Sequence, residues 1–290
     1  MKLDRTQVPE GPMSARIFCD PPLAARIDRA EARMCAEFAQ RVGARSPGAR
    51  VTTLPLAGGL AVYAGPGAPM NKVIGVGLGD ALDAGALAEV EAEWESRREP
   101  VRVELSTLDD GAAARMLTAR GYRLLGFENV LGRRIEPSDA VDAGAAVAET
   151  VTIGDEDLER WIRIMLDAFA QPDAGPLPTE EHPRGELAAV FRDIARISGV
   201  TLYLARVDGE AAAAASVRFD GRLAQLTGAA TLPPFRRRGL QTALTTRRLA
   251  DAQREGCDLA VVTTNPGSKS QQNAQRQGFE LLYSRAILVK

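Results

Sequence analysis

The sequence predicts an α/β protein with two domains, on three observations. The chain has 290 residues, more than a single hydrophobic core usually organises. Segments with the two-residue period of strands alternate with segments of helical period along the whole length. Residues 121–125 and 278–282 both read Gly, aromatic, charged, Leu, Leu, and each set follows a short helix and an apolar strand. We therefore expect both halves to share one fold.

The first half is expected to begin with a long helix. Apolar side chains recur at spacings of three and four over residues 23–42, as on one face of an amphipathic helix. Strand-like runs over 59–64 and 72–78 flank a glycine- and proline-rich turn and predict a hairpin. The remaining elements of this half are a helix over 84–98, a strand over 101–105, a helix over 111–120 and a strand pair over 122–135.

Three glycines, Gly75, Gly77 and Gly79, precede the second helix. Their spacing differs from the dinucleotide-binding fingerprint, and Asp80 and Asp83 stand where a phosphate would need positive potential. We therefore interpret these glycines as a structural turn rather than a nucleotide site.

The stretch 139–149 lacks large apolar residues and is predicted to link a first domain, 1–138, to a second, 150–290. Asp–Gly pairs at 208–209 and 220–221 predict tight hairpin turns between strands of the second domain. The elements predicted there are a strand over 151–153, a helix over 155–170, a loop over 172–183, a helix over 185–197, strands over 201–207, 211–219 and 223–232, a helix over 240–255, a strand over 258–264, a helix over 270–277 and a last strand.

Composition and charge narrow the class of partner. Hydrophobic residues make up 45% and charged residues 26% of the chain, and the net charge is −2. This balance gives no reason to expect nucleic acid or a membrane surface as a partner. Cys19, Cys35 and Cys257 form no C-x-x-C pair, so neither a disulfide framework nor a metal site is expected, and Cys257 is interpreted as a buried apolar residue. Without a leader or an apolar run of about 18 residues, we expect a cytoplasmic protein.

The strongest functional signal is the stretch 226–242. A strand-like run ends at two prolines, and three arginines and Gly239 lead into a helical pattern. The first backbone N–H groups of a helix have no partner within it, so they and the helix dipole can hold an anion. Gly239 would let the backbone approach a phosphate closely, and the arginines would add cationic donors. A basic helix start that only solvates a surface is the alternative.

Residues Arg236-Arg237-Arg238-Gly239-Leu240-Gln241 resemble the acyl-coenzyme A loop of the GNAT superfamily of N-acetyltransferases, although Gln241 replaces the usual small residue. Thr231-Leu232-Pro233 is similar to the end of that family's fourth strand. The resemblance implies two GNAT-like domains, each with a mixed, mostly antiparallel sheet flanked by helices, the first domain being degenerate and lacking the loop. It also implies acetyl-coenzyme A as co-substrate, bound by Thr231, Leu232, Arg236, Arg237, Arg238, Gly239, Leu240, Gln241, Thr242 and Asn273.

The resemblance implies direct attack of an amine on the acetyl thioester, with a backbone N–H near Thr231 or Leu232 stabilising the oxyanion. The family's usual carboxylate and tyrosine are absent, since Gln225 and Ala274 stand near those positions. The candidate proton carriers, each with its structural alternative, are Tyr283 (an ordinary strand aromatic), Ser270 (a helix cap) and His182 (a solvated loop residue).

By the same resemblance, the loop that holds His182 borders the acceptor pocket. Asp173, Glu180 and Glu181 lie in that loop and would attract a cationic amine. The leading hypothesis is an acetyl-coenzyme A-dependent N-acetyltransferase acting on a primary amine of a small molecule or peptide. The alternatives are a non-catalytic regulator that binds acyl-coenzyme A, and an assembly protein whose arginines pair with a partner's acids.

Overall fold

A computed structural model describes residues 16–109, 111–140, 148–171 and 183–290. The α-helices in these ranges are α1 Pro21–Arg45, α2 Ala84–Ser96, α3 Ala112–Ala119, α4 Leu158–Phe169, α5 Arg184–Ala195, α6 Leu240–Arg254 and α7 Lys269–Arg276. The strands are β1 Thr52–Leu56, β2 Gly59–Tyr63, β3 Lys72–Ile74, β4 Arg102–Ser106, β5 Arg123–Arg134, β6 Glu149–Ile153, β7 Val200–Val207, β8 Glu210–Asp220, β9 Leu223–Gln225, β10 Ala229–Thr231, β11 Leu259–Thr264 and β12 Glu280–Val289.

All these strands belong to one 12-stranded sheet in the order β1-β2-β3-β4-β12-β5-β11-β9-β8-β7-β6, with β10 beside β8. Only the β3–β4 and β9–β11 pairs within the described strands are parallel. The predicted α/β class, with a mixed and mostly antiparallel sheet, is confirmed. The strand pair predicted over 122–135 is wrong, because β5 crosses this stretch without turning and pairs with a strand on each side.

The two halves of the chain interleave at the centre of the sheet. Strand β12 lies between β4 and β5, and β5 lies between β12 and β11. The offset in residue number that maps helix α3 onto α7 also maps the starts of β4 and β5 onto those of β11 and β12, as a repeated unit requires. The proposed boundary at 139–149 therefore divides the chain but not the sheet, and residues 141–147 of it lie outside the described residues.

Helices cover both faces of the sheet, and alternate residues of β8 show which face each helix takes. Ala213 and Ala215 pack with α6, whereas Ala214 packs with α4, as the two-residue period of a strand demands. Helices α2 and α3 cover β4 with a separate core around Trp94 and Leu117. None of the helices in the described ranges is long and apolar enough to cross a membrane.

Helix α1 ties the two halves together through buried charges. Arg285 of β12 has no exposed side-chain surface and donates to Asp28 of α1 at 2.6 Å and to Glu31 at 2.7 Å. Lys72 of β3 bridges Glu31 and Glu104 at 2.6 and 3.0 Å. Removing one member would leave an unpaired charge in the core, so the network fixes α1 against both halves.

Candidate active site

The strand predicted over 223–232 is broken, and the break opens the candidate site. Strand β9 pairs with β11 through Gln225 and Val261, and the Leu226 N–H donates to the Val261 carbonyl at 2.8 Å. Beyond that bond the chain turns away, since β10 pairs with β8 and with no other described strand. We call the space between residues 227–231 and the end of β11 the wedge, and residues 226–228 its vertex.

Backbone alternation decides which groups of β10 face the wedge. The Leu232 N–H donates to the Ala212 carbonyl at 3.0 Å, and the Gly228 carbonyl accepts from the Ser216 N–H at 2.9 Å. Even-numbered residues thus bond to β8, and the odd-numbered Thr231 presents its N–H to the open edge. Of the two expected backbone donors, Leu232 is already engaged in the sheet, whereas Thr231 is directed at the wedge.

The loop after β10 leaves the start of α6 open to a ligand. Gly239 has a φ of 79°, and no side chain of the described residues caps the helix there. Arg237 also takes a left-handed φ, 61°, a conformation that only glycine adopts without cost. The first N–H groups of α6 therefore point outward, as an anion site requires.

The three loop arginines differ in their contacts. Arg236 is half-buried and donates to main-chain carbonyls, from Nε to Thr231 at 3.2 Å and from Nη2 to Ala168 at 3.3 Å. Arg237 and Arg238 are exposed, and the Arg238 guanidinium lies 5.5 Å from the centre of the Phe235 ring. Arg236 thus fixes the loop to α4, and the other two offer cationic donors to solvent.

The first turn of α6 is tied to its neighbours on both sides. Gln241 donates from Nε2 to the Thr231 hydroxyl at 2.8 Å, which folds this larger side chain back onto β10. Leu240 is buried in the core. The exposed Thr242 accepts from Gln277 Nε2 at 3.0 Å, which links α6 to the end of α7, and Asn273 is half-buried on α7.

Two of the three candidate proton carriers lie within the described residues. Tyr283 is 3% exposed and donates its hydroxyl to Asp28 beneath α1, and burial raises its pKa far above the ordinary value. Ser270 is exposed. The alternative reading of Ser270 as the helix cap is wrong, because the Ser268 hydroxyl accepts the Gln271 N–H at 3.1 Å. His182 lies outside the described residues, as do Asp173, Glu180 and Glu181.

Gln225, where the resemblance led us to look for a carboxylate, is held by a cation. Its Oε1 accepts from Arg218 Nη1 at 2.8 Å. The Arg218 side chain is 4% exposed and also pairs with Asp220 at 2.9 Å and with Glu37 at 3.3 Å. The neutral amide therefore completes a buried network and has no proton to exchange.

Sequence reasoning missed Arg248, which lies under the vertex of the wedge. Its Nη1 donates to the carbonyls of Ser216 at 3.1 Å and Thr227 at 3.4 Å, and burial lowers its pKa to about 10. The only sequence signal is the adjacent pair of arginines in α6, which does not tell which one faces the sheet.

In the first half, the loop before α2 corresponds to the loop before α6. Here the protein's own side chains occupy the helix start. Asp83 accepts the Ala86 N–H at 2.8 Å and so caps α2. Leu78 is buried. Gly75 and Gly77 both have a φ of 79°, as expected of a structural turn. A Cβ on Gly77 would lie 2.6 Å from Asp109 Oδ1, so a carboxylate stands beside this turn.

Comparison with known proteins shows which family part of the chain matches. Residues 160–279 match the model of the acetyltransferase (GNAT) family. A GCN5-related N-acetyltransferase from Kribbella flavida superposes with a TM-score of 0.62 at 20% identity, over 92% of this chain and 95% of its own. A tandem GNAT protein from the clavulanic acid biosynthesis pathway gives 0.57 at 14% identity, over 92% and 96%. No curated protein sequence matches significantly. At these identities the structures establish the fold, and the expected tandem arrangement is confirmed.

Proposed function

We propose, from the premise that residues 160–279 form an acetyltransferase domain of the GNAT family, that this protein transfers an acetyl group from acetyl-coenzyme A to a primary amine. The observation that carries the proposal is the wedge, whose open strand edge leads directly into the uncapped start of α6. An extended pantetheine chain would pair with the edge of β10, and a pyrophosphate would bind at the helix start.

In this proposal, Arg237 and Arg238 neutralise phosphate charge and Gly239 permits close approach, while Arg236 and Gln241 hold the loop in shape. The acceptor amine attacks the thioester carbon directly. Because positioning alone supplies about 7 to 11 kcal/mol in favourable cases, a strong protein base is not required. The acceptor is a small molecule or a peptide.

A thermal-shift titration with acetyl-coenzyme A tests the site. At a hundredfold excess over the dissociation constant, the ligand is expected to stabilise the folded protein by about 2.7 kcal/mol. Arg238→Glu and Gly239→Trp are expected to lose most of that shift, because the first reverses a phosphate-binding charge and the second blocks backbone approach. The matched control is Arg123→Glu, a charge reversal at another exposed arginine, on β5, which should keep the parental shift.

Thiol release with a panel of amines then separates the competing functions. A thermal shift with acetyl-coenzyme A together with thiol release supports the acetyltransferase. A shift without release by any amine favours the non-catalytic regulator, which gains weight from the engaged Gln225 and Tyr283. An unchanged shift in both loop variants contradicts the phosphate assignment, and no shift in the parent favours the assembly protein.

A further inference from the structure

The N-terminal part of β5 is an open strand edge. Strand β11 pairs with β5 only as far as Thr264, which lies opposite Asn129. Residues 123–128 of β5 continue beyond that point with β12 on one side and no described strand on the other. Such an edge offers main-chain donors and acceptors to another chain, and proteins usually block it with proline or lysine. Residues 123–128 contain neither.

The ladder with β12 shows which main-chain groups face the open side. The Ser284 N–H donates to the Thr107 hydroxyl at 3.2 Å, and the Ser284 carbonyl accepts from the Thr107 N–H at 2.8 Å, both on the β4 side. Main-chain direction alternates along an antiparallel ladder, so Arg285 turns its groups to its partner Glu128, and Phe127 turns its own away from β12. The Phe127 N–H and carbonyl are therefore directed at the open edge.

This edge also carries exposed apolar side chains. Half of the large hydrophobic side chains that are exposed in the described ranges lie here, namely Leu124, Leu125 and Phe127, which are 49 to 59% exposed. Leu124 and Phe127 lie opposite Leu288 and Ala286 of β12, which alternate on one face of the sheet. A second strand laid on the edge would cover these side chains with its own, and a β-branched residue would suit the position opposite Phe127.

A surplus of negative charge stands at the end of the edge nearest the wedge. Four carboxylates of the described residues share two cations beneath α1: Asp28, Glu31, Glu104 and Glu128 with Arg285 and Lys72. Glu128 has the most exposed side chain of the six, at 23%, and its distance of 3.4 Å from Arg285 is the longest in the cluster. A ligand that brings a positive charge to Glu128 would balance this cluster.

The direction of β11 sets how a peptide would lie on the edge. Strand β11 is antiparallel to β5, and its last residues form one wall of the wedge. A peptide that extends this pairing begins beside Thr264, so its N-terminal amine lies next to Glu128 and the wedge. Its first residue is then opposite Glu128, and its second is opposite Phe127, with which it exchanges main-chain hydrogen bonds.

We propose that residues 123–128 of β5 bind the acceptor as an added strand, that this acceptor is an extended peptide, and that its N-terminal amine is acetylated. The inference rests on the proposed function and narrows its acceptor to one class. The N-terminal ammonium first loses one proton to solvent. The neutral amine forms the C–N bond as the C–S bond of the thioester breaks. Its second proton goes to the departing thiolate, so the products are the acetylated peptide and the coenzyme A thiol.

N-methylated peptides test the edge without altering the protein. The parent peptide is a lysine-free hexapeptide with a free N-terminal amine and valine at its second and fourth positions. N-methylation of the second residue removes the N–H that donates to the Phe127 carbonyl, and is expected to lower kcat/KM for thiol release on the order of tenfold. N-methylation of the third residue is the matched control. Its N–H points away from β5, so kcat/KM should stay at the value of the parent peptide.

Protein variants test the side chains of the same edge. Phe127→Ser is expected to lower kcat/KM for the hexapeptide on the order of tenfold, because the second valine loses the ring that covers it. Glu128→Gln should raise KM for the hexapeptide, since the ammonium loses its carboxylate partner. The control is Leu281→Ser, which removes a similarly exposed side chain from β12, on the side of β5 away from β11, and should keep the parental kcat/KM.

The outcomes separate this proposal from the proposed function. Equal losses from the two methylated peptides, or an unchanged kcat/KM in Phe127→Ser, would overturn the peptide edge while acetyl transfer stands. Thiol release that persists after N-terminal formylation of the hexapeptide would also count against it. If no amine releases thiol, the proposed function fails, and fluorescence anisotropy of the hexapeptide labelled at its C-terminus tests the edge alone. Weaker binding after methylation of the second residue only would support the edge, and any other result would refute it.

Discussion

Arginine side chains around the wedge differ in what they contact, and those contacts set what each can do. Arg236 donates hydrogen bonds to main-chain carbonyls. Arg238 is exposed to solvent beside the Phe235 ring, and Arg248 is buried under the vertex. Of these three, only Arg238, like the equally exposed Arg237, can meet a phosphate without first breaking protein hydrogen bonds. Charge reversal at Arg238 should therefore weaken coenzyme A binding, whereas Arg248 is bonded within the protein core.

Tyr283 offers a test of whether a candidate catalytic residue is structural. Tyr283→Phe removes a hydrogen bond to the ionisable Asp28 and is expected to lower the free energy of unfolding by about 1.5 to 3 kcal/mol. Because the hydroxyl lies beneath α1, kcat per folded molecule should stay at the parental value. Denaturant unfolding and initial rates of thiol release measure the two effects.

The control for Tyr283 is Tyr203→Phe, which removes a similar bond, from a tyrosine hydroxyl to Asp251 at 2.9 Å. Both variants should lose stability and keep activity. A fall in kcat for Tyr283→Phe alone would restore Tyr283 as a proton carrier.

At the scale of elements, the two loop–helix units of the repeat have opposite electrostatics. The loop before α6 ends in an uncapped helix flanked by exposed arginines, while the loop before α2 ends in a helix capped by Asp83. A pyrophosphate brought to α2 would have to displace a carboxylate that already occupies the helix start.

We therefore predict one acetyl-coenzyme A site in each chain. Isothermal titration calorimetry of the parent should give a stoichiometry of one, and Arg238→Glu should remove the whole signal. A second binding event that survives in Arg238→Glu would contradict the closure of the first-half loop.

The sequence predicted most elements because their signals are local. The helices at 23–42 and 240–255 and the Asp–Gly turns follow from periodicity and turn chemistry. The broken strand at 226–228 was not predictable, since it appears only in the tertiary pairing, in which β9 pairs with β11 and β10 pairs with β8 alone. The course of β5 was also missed, because a strand paired on both sides by distant segments carries no local sign of its partners. The turn through Arg236–Gly239 into α6 was predicted, and its role as an anion site stays a prediction. The contacts that distinguish its arginines are tertiary and have no local signal.

At the scale of the whole molecule, the halves depend on each other through the interleaved strands and through α1. Glu128 of β5 lies at this junction, with a side chain that is 23% exposed and 3.4 Å from Arg285. It faces Glu104, Glu31 and Lys72 as well as Arg285, and burial together with Glu104 raises its pKa to about 8. Arg285 has stronger partners in Asp28 and Glu31, which leaves Glu128 poorly balanced when it ionises.

This imbalance predicts a pH dependence of stability. Because the pKa of Glu128 is higher in the folded than in the unfolded chain, unfolding releases a proton, and its contribution to stability is lost as the pH rises from the ordinary carboxyl range to about 8. Glu128→Gln should therefore be more stable than the parent at about pH 8, and the difference should shrink towards about pH 5. Urea unfolding at both pH values measures this difference in the free energy of unfolding. The control is Glu95→Gln, on the exposed side of α2. If the free energies of unfolding of the parent and of Glu128→Gln change with pH in parallel, Lys72 and Arg285 keep Glu128 ionised throughout, and the prediction is wrong.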